Sequence, residues 1–307
     1  MNQTVSPPHE QAIDAWISER AAHVDECLQG LLPDGASPPS PLHQAMRWAS
    51  VGAGKRVRAC MVYAAGHACH PVPDHTLQVA LDRAASAVEL VHAYSLIHDD
   101  LPCMDDDAMR RGKPATHIEF GEAMALLAGD AMQPLAFEWL SDMPIAPALV
   151  VQATKSLAQA IGSQGMAGGQ AIDLQSTGLE LGESDLAAMH GKKTGCLLSA
   201  SAQLGAIIVG AGSAQRESLR AYSKAIGLAF QVVDDVLDAT VPSDQLGKTA
   251  GKDAAAHKAT YVSVLGVDKA SELARQLHQQ AYDAIKGFGV HGHYLRGLAD
   301  FIVRRAY

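Results

Sequence analysis

The chain has 307 residues, with 24 Lys and Arg against 33 Asp and Glu and a formal net charge of -9. That length exceeds a minimal module, and 48% hydrophobic residues suffice for a large core, which excludes a globally disordered chain. The acidic balance argues against a nucleic-acid surface, while a local phosphate site stays open.

In chain order, residues 1–10 read as a frayed end, and a first helix is expected over about 11–30. Pro33, Pro38, Pro39 and Pro41 mark a loop over 33–41. Helices are expected next near 42–50 and 55–68. Between them, Gly52-Ala53-Gly54-Lys55 is no P-loop, because Ala49 and Arg56 stand where Gly and Ser/Thr belong. His67 and His70 lack partners at metal-ligand spacing and lead into a loop at Pro71 and Pro73. A long helix is expected over about 76–100, with Leu77, Leu81, Ala84, Val88, Val91 and Ser95 at helical spacing. Further helices are expected near 119–140, 147–165, 184–190, 194–211, 215–238 and 268–286. After residue 147 the one proline is Pro242, and the flanking spans are rich in helix-forming Ala, Leu, Gln and Lys. Gly168 and Gly169, followed by Gln170 and Asp173, suggest a kink that opens a site.

Strand signals are nearly absent, since aromatics are only 5% and no alternating run ends in Asn-Gly or Asp-Gly. The uncharged stretch 194–215 is long enough to span a bilayer, but Ser199, Ser201, Gln203 and four glycines mark it as a buried helix. No repeat and no composition break divides the chain, so the expectation is one all-α domain over 1–307. Cys27, Cys60, Cys69, Cys103 and Cys196 are odd in number and scattered without a Cys-x-x-Cys pair. They point away from a disulfide framework or zinc site and toward a reducing, cytoplasmic compartment. Glu10, Asp14 and Glu19 near the start do not suit a secretory leader.

Two acidic clusters carry chemistry: Asp99, Asp100, Asp105, Asp106 and Asp107, then Asp234, Asp235 and Asp238. On a helix Asp234 and Asp238 are four apart and share a face, where like charges repel by about 0.2–0.5 kcal/mol per pair. A divalent cation reverses that cost, and oxygen donors suit Mg2+. A solvated acidic face is the alternative, countered by the apolar flanks Phe230, Val232, Val233, Val236 and Leu237. Asp99 and Asp105 are six apart and would not face together on a regular helix. Pro102 breaks the helix, and if about two residues loop out Asp105 returns beside Asp99. Asp106 and Asp107 either support the ligating aspartates or are merely solvated, and the second reading is favoured. Arg110 and Arg111 follow the first cluster, and Lys248, Lys252 and Lys258 the second. Carboxylates for a metal beside Arg and Lys for oxyanions describe a phosphate site.

The motif Asp99-Asp100-Leu101-Pro102-Cys103-Met104-Asp105, continued by Arg110-Arg111-Gly112-Lys113-Pro114, resembles the first aspartate-rich motif of the short-chain trans-isoprenyl diphosphate synthases. Asp234-Asp235-Val236-Leu237-Asp238 resembles their second. Gly54-Lys55-Arg56-Val57-Arg58, His92, Gly168-Gly169-Gln170-Ala171-Ile172-Asp173, Lys193-Thr194-Gly195, Phe230-Gln231, Gly247-Lys248 and Lys258-Ala259-Thr260-Tyr261 follow in family order. The whole is most similar to the bacterial farnesyl diphosphate synthases.

This resemblance implies a single-domain, all-α isoprenoid synthase type I bundle around a central cavity, and a homodimer. It implies a cluster of Mg2+ ions, three in number, held by Asp99, Asp105 and Asp234, with Asp100, Asp235 and Asp238 as further or supporting ligands. Arg110, Lys193, Thr194, Gln231, Lys248 and Lys258 would hold an allylic diphosphate. Gly54, Lys55, Arg58, His92 and Arg111 would hold isopentenyl diphosphate. His92 and Asp99, seven apart, share a helix face. The implied reaction is ionisation of the allylic diphosphate, attack by the isopentenyl double bond, and proton loss to the released pyrophosphate.

Product length in that family is set by bulk just upstream of the first motif, where Tyr94 and Ser95 stand here. Tyr94 is either a pocket floor that stops elongation at fifteen carbons or an ordinary core aromatic. Two departures from the family pattern are Ala59 in place of proline and Val233 in place of a second glutamine; effects on packing or rate are expected. A geranylgeranyl diphosphate synthase, a terpene cyclase and a non-catalytic synthase subunit are the rival readings. The cyclase is disfavoured by Asp234-Asp235-x-x-Asp238, and the subunit by the full set of aspartates and arginines.

Overall fold

Helix starts and stops follow local chemistry along the chain, as seen in a computed structural model describing residues 8–52, 54–179, 181–240 and 259–304. The first helix, α1 (Pro8–Leu31), begins before the expected frayed end is over. Then come α2 (Ser40–Ser50), α3 (Val57–Cys69) and α4 (His75–Asp99). The Asp74 carboxylate caps α4 by accepting the Leu77 N–H at 2.9 Å. The expected helix 119–140 is two, α5 (Thr116–Phe120) and α6 (Glu122–Ser141), because Gly121 takes a left-handed φ of 83° between them.

The expected helix 147–165 stops early, as α7 (Pro147–Ile161), and a separate α8 (Met166–Gln175) follows. Helix α8 runs straight through Gly168 and Gly169, so the expected kink there is corrected to a helix break at 162–165. The next two expected helices join: α9 (Glu183–His190) passes through a π turn (Gly191–Gly195) into α10 (Cys196–Ile208). Helix α11 (Ser213–Thr240) carries the second acidic cluster. The capping box of Thr260 and Ser263 starts α12 (Tyr261–Leu265), which leads to α13 (Val267–Ala284). A 3-10 segment (Lys286–Gly292) and α14 (His293–Arg304) were not anticipated. Yet α14 has Leu295, Leu298, Ala299 and Ile302 buried at helical spacing.

Among the described residues strand is confined to a two-residue antiparallel pair, β1 (Met109–Arg110) with β2 (Lys113–Pro114). The all-α expectation therefore holds for the body. Helices α3, α4, α10 and α11 form its middle: α4 packs on α3, α6 and α10, and α10 also packs on α3, α7 and α11. The uncharged stretch is indeed interior, with Leu197, Leu198, Leu204, Ile207 and Ile208 all buried. No helix among the described residues is long and apolar enough to cross a membrane. Asp82 on α4 accepts from Tyr63 of α3 at 2.8 Å and lies 3.0 Å from His23 of α1, tying three helices at the end remote from the acidic clusters. Helices α3, α4 and α11 converge at the other end, with the loops that carry the charged motifs.

Candidate active site

The first acidic cluster is shaped by the end of α4. Pro102 cannot continue the helix, and the chain loops so that the Asp105 N–H donates to the Asp99 carbonyl at 2.8 Å. The looped-out arrangement expected from the spacing is thus present. Asp107 N–H likewise returns to the Asp100 carbonyl at 3.2 Å. Asp107 is not merely solvated, contrary to expectation, because its carboxylate accepts from Arg110 Nη2 at 3.3 Å.

Arg110 is carried by the β1–β2 pair, and its Nε faces both oxygens of Asp100 at 3.0 and 3.2 Å, with Nη2 also on Asp100. Asp100 is buried at 2% exposure, and burial raises its carboxyl above the usual range against the pull of Arg110. Asp100 therefore positions Arg110. Asp99 differs: burial raises its carboxyl to about 6, with Lys193 opposing and Asp105 adding to the rise.

On α11 the second cluster divides by face. Asp235 is buried at 3% exposure and accepts from Gln231 Nε2 at 2.9 Å and from the Tyr261 N–H at 2.7 Å. It anchors α12 to α11, while Asp234 lines a cleft and Asp238 lies one turn further along. The donor set at Asp99, Asp105 and Asp234 is all carboxylate oxygen, which fits a hard divalent cation. Burial is what raises the Asp99 carboxyl, and a divalent cation bound there would favour its ionised form.

The cleft has a volume of about 570 Å³ and brings together Gly54, Lys55, Arg58, His92, Arg110, Arg111, Thr194, Gln231 and Asp234 from five separate segments. Burial lowers Arg58 to about 10 and also lowers Arg111, where the charges of Arg56 and Arg110 act in the same direction. His92 is held well below its ordinary value, first by burial and then by the charges of Arg58, Arg111, Arg56 and Arg110. It is neutral at pH 7 and can donate one hydrogen bond. Lys55, Arg56, Arg58, Arg110 and Arg111 outnumber the carboxylates Glu89 and Asp234 in the cleft lining, an excess of positive charge that suits an anion. Lys55 Nζ sits 4.7 Å from the centre of the Phe301 ring, so α14 forms one wall.

An adjoining cavity of about 400 Å³ shares Arg58, His92, Leu96 and Thr194 with the cleft. Its other lining includes Tyr94, Ser95, Asp99 and Lys193 together with apolar Met104, Met166, Ala167, Ala171 and Leu174. The π turn presents Lys193 and Thr194 here, as such turns commonly do at functional sites. A Cβ on Gly169 would overlap the Lys193 backbone, so glycine is required for α8 to lie against the turn. Lys248 and Lys258 lie outside the described residues, as does Lys252.

Sequence reasoning missed Glu89 and Asp25. Glu89, 2% exposed, accepts the Ala59 N–H at 3.0 Å and faces Arg56 Nη1 at 3.4 Å. Arg56 also reaches Asp25 Oδ1 from Nε at 3.1 Å and the Ser50 carbonyl. The available signal was position: Glu89 stands three residues before His92, on the same face of α4. Ala59 also gains a reason, because a proline there could not donate to Glu89. Val233 is fully buried in the core.

The sequence matches the family model described as polyprenyl synthetase over residues 39–287. It is 45% identical over 276 residues to geranylgeranyl pyrophosphate synthase 4 of Arabidopsis thaliana, covering 89% of this chain and 72% of that protein. An FPP/GFPP synthase from Zymomonas mobilis, solved in apo form, is similar at a TM-score of 0.85 and 38% identity, covering 96% of this chain and 99% of that one. A geranyltransferase from Helicobacter pylori, solved with magnesium and isoprenyl diphosphate, is similar at a TM-score of 0.82 and 29% identity, covering 98% of each chain.

Proposed function

The chain belongs to the polyprenyl synthetase family and has the isoprenoid synthase fold, and on that premise we propose that it makes farnesyl diphosphate. It does so by condensing isopentenyl diphosphate head-to-tail with dimethylallyl and then geranyl diphosphate. The observation that carries this reading is the junction of a polycationic cleft with an apolar cavity, with Asp99 and Asp234 at their edges. A diphosphate fits the first and a prenyl tail the second.

Lys193, Thr194, Gln231 and Arg110, with Lys248 and Lys258, hold the allylic diphosphate. Gly54, Lys55, Arg58, His92 and Arg111 hold isopentenyl diphosphate. Asp99, Asp105 and Asp234 would hold Mg2+, which would supply positive charge for the departing pyrophosphate. The fixed cations stabilise the same charge without reorganising. The isopentenyl double bond then attacks the allylic carbon, and the resulting cation loses its proton to pyrophosphate. The apolar cavity walls keep water from the cation.

Tyr94, 8% exposed at the cavity, supports the fifteen-carbon product. The Arabidopsis relative favours geranylgeranyl diphosphate as the second reading. The purified protein is expected to turn over isopentenyl with geranyl diphosphate only when Mg2+ is present, and to give the fifteen-carbon product. No turnover with any allylic primer would defeat the enzyme reading, and a twenty-carbon product the farnesyl one. We also propose a homodimer, supported by the exposed apolar Ile118, Leu126 and Leu127 on α5 and α6. A cytoplasmic location is supported by five free cysteines.

A further inference from the structure

The end of α4 meets α6 at one place where a side chain presses into a missing side chain. Gly129 is buried on α6, and a Cβ built there would overlap the His98 imidazole. His98 Nε2 lies 3.1 Å from the Leu126 carbonyl and 4.0 Å from Asp130 Oδ1, both also on α6. One helical turn earlier on α4, the Tyr94 ring stands edge-on to His98, with centroids 5.9 Å apart and planes at 71°. Both rings line the apolar cavity beside Asp99.

We propose that His98, seated in the notch at Gly129, is a specificity-determining positioning residue that braces the Tyr94 ring and so sets how long a prenyl tail the cavity accepts. The inference rests on the prenyl-elongation reading and adds to it a second residue and a second helix. Tyr94 alone is a phenol on a helix, with two side-chain torsions that could swing it from the tail's path. An edge-on ring partner removes that freedom, and such aromatic pairs are favourable beyond simple burial. His98 in turn is fixed by the hydrogen bond to a helix carbonyl and by the absence of a Cβ at Gly129. The stop at the pocket floor is therefore built by α4 and α6 together. A methyl group at Gly129 drives the imidazole toward the cavity and shortens it; removal of the imidazole frees Tyr94 and lengthens it.

The test measures product lengths made from geranyl diphosphate and excess isopentenyl diphosphate by the full-length wild type, His98→Ala, His98→Asn, Gly129→Ala and the double variant. His98→Ala is expected to raise the ratio of twenty- to fifteen-carbon product by about tenfold, the scale of pocket discrimination over small groups. Gly129→Ala is expected to shift products the other way, with unreacted geranyl diphosphate accumulating. In the double variant the methyl group has no imidazole to displace, so the distribution follows His98→Ala, a strong departure from additivity. His98→Asn keeps an amide donor for the Leu126 carbonyl and is expected to fall between wild type and His98→Ala. The KM for isopentenyl diphosphate is expected to stay within about twofold, which a general loss of packing would not preserve.

Wild-type condensation with unshifted products in His98→Ala and in the double variant would overturn this inference alone. So would a Gly129→Ala effect that persists unchanged without the imidazole. Absence of any wild-type condensation would overturn the elongation reading itself, and this inference with it. If Gly129→Ala does not fold, His98→Ala and His98→Asn still decide the matter by their product lengths.

Discussion

Lys193 Nζ stands 2.6 Å from Asp173 Oδ2, joining the π turn to α8 at the rim of the apolar cavity. Both side chains are largely buried, at 24% and 11% exposure. The pair aims a cation at the place proposed for the allylic diphosphate, and Gly169 lets the two backbones approach closely enough for it to form.

Asp173→Asn keeps a hydrogen-bond acceptor for Lys193 and removes the charge that holds it. Activity with geranyl diphosphate is expected to fall by up to about a hundredfold, the cost of a small misplacement of a reacting or charge-stabilising group. The thermal midpoint should move little. Steady-state kinetics beside a melting curve separate the two effects, and equal activity in the variant would remove the positioning role.

The buried Arg56 is a different case, because it links α1 through Asp25, α2 through Ser50 and α4 through Glu89. Breaking a buried ion pair from one side costs about 3–5 kcal/mol. Arg56→Gln should therefore destabilise the protein strongly. Glu89→Gln, which can still accept the Ala59 N–H, should cost less. Both are expected to raise the KM for isopentenyl diphosphate more than that for the allylic partner, since Lys55 and Arg58 flank the displaced residue. Denaturant melts and the two KM values check this.

His190 supplies a pH dependence of stability. Burial lowers its pKa to about 4, with Asp173 opposing and Lys193 adding to the shift. Between about pH 6.5 and 4 the unfolded chain takes up a proton that the native chain refuses, so stability falls as pH falls through that window. The loss attributable to His190 is about 2 kcal/mol between pH 7 and pH 5. Replacement by Phe should flatten the slope of the melting temperature over this range. An unchanged slope would contradict the assignment.

Tyr94→Ala tests the pocket floor directly. The ring lines the cavity, so its removal should extend products to twenty carbons or more while condensation continues. Chromatography of dephosphorylated products reads the outcome, and unchanged fifteen-carbon output would identify Tyr94 as a core aromatic.

Much of this site was legible because its chemistry is local in sequence. The turn at Pro102 and the four-residue spacing of Asp234 and Asp238 each follow from backbone geometry within a single element. What escaped was pairing between elements. Asp107 looked solvated because nothing in a linear reading shows that the β1–β2 pair folds Arg110 back onto it. Glu89 looked like one more residue of an amphipathic helix, because its partner Arg56 belongs to a different segment. The break at 162–165 was displaced to Gly168 and Gly169 because glycine in a sequence does not reveal whether it ends a helix or admits a neighbour.

The amino-acid sequence by itself determined the fold class, through proline placement and helical spacing, and the identities of the charged groups, through two motifs of eight aspartates with their Arg and Lys companions. The -9 balance is partly this site, and it argued weakly against a nucleic-acid surface without speaking against small diphosphates. Only the tertiary structure decided which aspartates face a cleft and which are consumed by protein partners, as Asp100 is by Arg110 and Asp235 by Gln231 and Tyr261. The reason is that a carboxylate's role depends on burial and on the donors within about 3 Å of it. Those donors come from helices far apart in the chain.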